Sequence, residues 1–133
     1  MLENLGGFFG YLIILLYILT ILNYFVKLIN RKYKEQIKKN ERFHQIFTKV
    51  MRFLVKQHKL FGLLTIVFIL LHFLIQFNRF GLSITGAIAA GVMLLQVALG
   101  IYGSKAKKKS KAWLYVHRAI AVILAVTILI HIL

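Results

Sequence analysis

Cysteine is absent from the chain, and only three of its 133 residues are acidic. The first absence excludes disulfides, cysteine-ligated iron–sulfur clusters, thiolate nucleophiles and thioether-linked cofactors. The second leaves Glu3, Glu35 and Glu41 as the only carboxylates, all outside the long apolar segments, so no buried metal site can be completed by acidic ligands. An alternating strand–helix pattern and a glycine-rich phosphate loop are also missing, which removes a flavin or nicotinamide module from consideration.

What the chain has is apolar surface. Hydrophobic residues make up 60% of it, there is no proline, and the mean hydropathy is +0.80. Such a chain cannot present a water-soluble surface and reads as a polytopic membrane protein. Four apolar segments, at about residues 8–29, 60–77, 84–102 and 112–133, each approach the ~20 residues that span a bilayer. The expected fold is all-α, a four-helix membrane bundle forming one domain over residues 1–133. The first segment is expected to be retained: its basic residues follow the apolar run, unlike those of a signal peptide.

Charge sets the expected orientation. Of 18 Lys and Arg residues, 11 lie between Lys27 and Lys59 and five between Lys105 and Lys111, with Arg79 and Arg118 as the others. Positive charge resists export, so the first and third connections are expected in the cytoplasm and both termini outside it. Helices two and four then run parallel, from inside to outside.

Five histidines occur, and four of them share one spacing. His58 and His72 are 14 residues apart, as are His117 and His131. Fourteen helical residues turn through about 1400°, about 40° short of four turns, and rise about 21 Å, so each pair lies on one helix face. With the two helices parallel, the imidazoles form two levels: His58 with His117 on the cytoplasmic side, His72 with His131 on the outer side. Two neutral imidazoles on opposite sides of one site satisfy the axial positions of a haem iron. A lone intramembrane histidine is otherwise a polar group bonded to a neighbouring carbonyl. Four at matched depths favour two metal-bound levels, and with no cysteine the haem is expected to be b-type.

The segments Gln57-His58-Lys59-Leu60-Phe61-Gly62, with His72, and Val116-His117-Arg118-Ala119-Ile120, with His131, resemble the paired-histidine helices of two families. These are respiratory cytochrome b and the membrane domain shared by ferric reductases and NADPH oxidases. The resemblance covers residues 58–131 and lies in the doubled spacing more than in any local string. It implies that His58 and His117 ligate an inner haem b iron and His72 and His131 an outer one. It also implies electron transfer from a cytoplasmic donor, a reduced flavoprotein or quinol, to an extracytoplasmic acceptor such as ferric iron, oxygen or another cytochrome. With both axial positions filled, chemistry at the iron itself is not expected.

Helix three carries Gly86 and Gly100, again 14 apart. They are read either as room for the porphyrin edges, as glycines at this spacing provide in respiratory cytochrome b, or as tight helix packing. The first helix clusters Gly6, Gly7 and Gly10 at one end and has no glycine near the other. Lys59 and Arg118 are candidates to neutralise the inner haem propionates, and Arg79 and Asn78 the outer ones; snorkelling toward lipid phosphates is the competing role.

Between Asn30 and Gln57, the residues Phe43, Ile46, Phe47, Val50, Phe53 and Leu54 fall at helical spacing among basic ones. This segment is expected to be an amphipathic cytoplasmic helix on the anionic leaflet. His44, 14 residues before His58, has Gly103 at the corresponding place before His117 and is read as a surface residue. Asn23 and Gln96 are expected to hydrogen-bond across helices. Gln96, Tyr24, Tyr102 and Tyr115 stand at heights that suit a quinone, which would make the chain a quinone-reactive anchor for a dehydrogenase or hydrogenase. A haem-free membrane scaffold or a haem transporter is the reading from another class. Lipid is the expected partner, with no nucleic acid; a homo-oligomer is left open. The Lys, Ile and Asn usage suggests an AT-rich bacterial genome, hence a bacterial cytoplasmic membrane.

Overall fold

Nothing between Glu41 and Phe80 stops a helix: no proline occurs there, and the one glycine, Gly62, packs against nothing that would open the backbone. The computed structural model describes residues 2–133 and makes this stretch one 40-residue helix. In order the elements are α1 (Leu2–Lys32), α2 (Lys34–Lys39), α3 (Glu41–Phe80), α4 (Ile84–Lys105) and α5 (Lys111–Ile132). α1, α3, α4 and α5 are long and apolar enough to cross a membrane.

The basic segment expected as a separate amphipathic helix is therefore mostly the first part of α3. Polarity of a helix face reports its surroundings, whereas only a breaker or a cap ends the helix. At about 1.5 Å per residue α3 is about 60 Å long, twice the ~30 Å hydrocarbon thickness. It starts at Asn40, whose extended backbone ends α2 and whose Oδ1 accepts from the Phe43 amide at 3.1 Å. It ends at Gly81, whose φ of +77° is open to glycine at little cost and whose amide bonds the Phe77 carbonyl at 2.9 Å. Ser83 and Ser110 then cap α4 and α5, accepting from the amides of Gly86 and Trp113.

The chain forms two compact units, Leu12–Thr65 and the remainder. In the first, Ile13, Leu16, Tyr17, Ile37, Leu54 and Phe61 are buried, and Thr65 donates its hydroxyl to the Phe61 carbonyl at 2.7 Å. In the second, α4 and α5 pack as an antiparallel pair around Ala89, Met93, Gly103 and Leu124. Trp113 locks that pair: its ring lies directly on Gly103, and its indole N–H donates to the Leu99 carbonyl at 2.9 Å. Most other large apolar side chains are exposed, which suits a lipid-facing surface.

Candidate functional site

Within the second unit, α1, α3, α4 and α5 all contribute to one histidine level. His72 of α3 and His131 of α5 place their ring centres 6.2 Å apart, with planes at 87°. A metal bonded to an imidazole nitrogen at about 2 Å lies about 3 Å from the ring centre, so two rings flanking one metal have centres about 6 Å apart. An edge-to-face ring pair also falls in this range. The hydrogen bonds at Nδ1 of each ring add information that a ring contact does not require.

His72 Nδ1 lies 2.9 Å from the Gly6 carbonyl oxygen of α1. A carbonyl only accepts, so Nδ1 carries the proton and the neutral ring keeps its lone pair on Nε2. His131 Nδ1 lies 3.1 Å from Thr85 Oγ1, which lies 3.2 Å from Ser83 Oγ, and Ser83 Oγ accepts the Gly86 amide at 3.3 Å. The chain closes in either direction, and run from His131 Nδ1–H through Thr85 to Ser83 it leaves the lone pair on Nε2. Holding Nδ1 by a carbonyl or hydroxyl while Nε2 stays available is how metal-binding histidines are oriented.

Close approach to these rings uses glycine. A side chain at Gly86 would meet His131 Cε1 at 2.9 Å, and one at Gly10 would meet His72 Cε1 at 3.4 Å. Gly6 lets the α1 carbonyl approach His72, while a side chain there would press on the Gln76 amide. Gly86 and Gly100 thus lie against the histidine rings themselves, although a side chain at Gly100 would meet His117 Cε1 at an ordinary contact distance of 3.7 Å.

The same register reappears 14 residues along. In the first unit the Thr20 backbone lies beside the His58 ring. Thr20 follows Gly6 by 14 positions, as His58 precedes His72 by 14. The α1 backbone thus stands beside each α3 histidine, with a carbonyl hydrogen bond at His72 from Gly6. At His117 the arrangement differs: Gln96 Nε2 lies 3.3 Å from His117 Nε2, and Trp113 stacks on the ring at 5.2 Å and 17°. Metal binding through that nitrogen requires the Gln96 side chain to turn aside. The expected interhelix bond of Gln96 is present, whereas Asn23 Oδ1 is buried without a partner.

Lys59, Asn78, Arg79 and Arg118 are all exposed, and the Arg79 guanidinium lies over the Phe80 ring at 4.8 Å. His44, read as a surface residue, is half-buried with Nδ1 shielded and without a hydrogen-bond partner. No group of three or more His, Cys, Asp or Glu side chains suited to a metal ion occurs among the described residues. A porphyrin supplies four ligands of its own, so a haem would need only paired histidines, and the ring separation of His72 and His131 is compatible with such a pair.

Thr85 and Ser83 were not singled out in the sequence; their one visible sign was the serine preceding an apolar helical run. Replacing Thr85 with valine is expected to leave both histidines in place but to shift the midpoint potential of a metal centre at His131, with Thr85→Ser restoring it. Redox titration of the purified variants checks this. Compared with known proteins, the chain matches no family model, no curated protein and no solved structure.

Proposed function

We propose that this chain is a small membrane cytochrome b that passes electrons across the bilayer between two bis-histidine haem b sites. The observation that carries the reading is the level at His72 and His131: rings at a metal-sharing separation, each with Nδ1 held and Nε2 left to bind. His72 and His131 would hold one iron. The 14-residue repeat in sequence assigns His58 and His117 to the other.

Haem b, when bound, supplies a reversible one-electron couple. The chain's own residues bind and orient. The Gly6 carbonyl fixes His72, Thr85 fixes His131, and Gly86 and Gly10 allow the helices to close on the rings. Lipid-facing side chains keep bulk water away from these levels. Lys59 and Arg118 on one side, and Asn78 and Arg79 on the other, would meet propionate carboxylates at the membrane boundaries.

In this reading the basic connections face the cytoplasm, both termini lie outside, and the protein resides in a bacterial cytoplasmic membrane. A cytoplasmic flavoprotein or quinol is the donor, and the acceptor is extracytoplasmic. The decisive functional assay uses vesicles containing the purified protein and loaded with ferricyanide. External dithionite is expected to bleach the trapped ferricyanide several-fold faster than in empty vesicles. Equal rates in the two preparations would refute transmembrane conduction.

A further inference from the structure

A second feature lies in the first unit. Where α1 passes α3, a shallow cavity of about 520 Å³ is lined by Lys27 and Asn30 from one helix and Met51, Arg52, Val55 and Lys56 from the other. Three cations face one cavity, and among the described side chains neither Glu35 nor Glu41 lines it. Like charges gathered at a low-dielectric boundary repel one another, so the arrangement is stabilised by an anion between them.

Its depth says which anion. Lys27 is the first charged residue after the apolar run of α1, and Lys56, with Lys59, is the last before the apolar run of α3. The cavity therefore sits where hydrocarbon gives way to headgroups. Met51 and Val55 give it an apolar part, and the same helices expose further apolar side chains, Ile29 and Val50 among them. The Arg52 guanidinium can clasp phosphate oxygens in bidentate fashion, Lys27 and Lys56 add point charges, and the Asn30 amide adds a neutral donor.

We infer that this cavity is a binding site for an anionic phospholipid, its phosphate among Lys27, Arg52 and Lys56 and its acyl chains along the apolar flank. The site depends on the membrane character of the chain and stands whether or not haem is bound. Free phosphate shares the headgroup chemistry but lacks the chains.

The test is native mass spectrometry of the full-length protein with phosphatidylglycerol or phosphatidylcholine. Wild type is expected to retain phosphatidylglycerol preferentially. The triple variant Lys27→Gln, Arg52→Gln, Lys56→Gln is expected to lose that preference, and Arg52→Gln alone, a milder change for folding, to weaken it. A control with Lys107, Lys108 and Lys109 each changed to Gln loses the same charge and is expected to keep it. Equal loss in the control, or full retention in the cavity variants, would overturn the site. Displacement of the lipid by millimolar inorganic phosphate would reduce it to a simple anion site and overturn the lipid assignment. If the cavity variants keep their lipid but shift a haem potential, the cations serve porphyrin carboxylates, and the lipid assignment again fails.

Discussion

Replacing His72 or His131 with alanine is expected to remove one of two haems and leave the other, halving the haem-to-polypeptide ratio. Each substitution deletes one axial nitrogen and opens one side of the site to lipid or water. Because the two rings are 6.2 Å apart on different helices, either change should produce the same loss. Their hydrogen bonds predict a graded series below that. Loss of the Thr85 hydroxyl disturbs orientation only, so its variant keeps the haem. His58→Ala and His117→Ala are expected to remove the second haem and spare the first. His44→Ala, which deletes the one histidine outside the repeat, is the control and should retain both. If all four single variants keep their full complement, the ligand assignment is wrong.

The second large effect concerns packing and can be read without any haem. Gly103→Ala places a methyl group in the Trp113 ring, against its Cζ2, Cε2 and Cη2 atoms. A flexible side chain would swing away, but this ring is constrained on several sides. Its N–H is bonded to the Leu99 carbonyl, its face is stacked on His117, and Lys109 lies over it at 5.7 Å. The strain must then pass to the α4–α5 pairing itself, and overpacking of this kind costs about 1–3 kcal/mol. Thermal unfolding in detergent should show a lowered midpoint. Trp113→Ala in the same background should recover part of the loss, since the colliding ring is gone. Wild-type stability for Gly103→Ala would mean that Trp113 does not pack as described.

The four spans were legible because each needs only composition and length, and the 14-residue histidine spacing was legible because helix geometry converts spacing into facing. The join between the basic segment and the second span was not. That segment differs from the span in polarity, yet no residue between Glu41 and Phe80 carries a stop signal, so one helix runs through both environments. The partners of the histidines were also hidden. The Gly6 carbonyl that holds His72 belongs to the backbone, which every residue type shares, so no side chain announces it. Gly86 and Gly100 were visible as a pair, but whether they faced porphyrin or protein was not. The structure puts a histidine ring against each. Trp113 on Gly103 is a large residue seated on the smallest one, a pairing that a search for small residues opposite the single tryptophan would have found.

The reading turns on whether these histidines hold haem. The measurement that decides it is haem per polypeptide, taken with the reduced-minus-oxidised spectrum of the purified full-length protein. Two b-type haems per chain with low-spin bands are the expected result. A folded protein that purifies without colour, and takes up no added haem, would contradict the account and leave the histidine ladder as helix-packing structure alone.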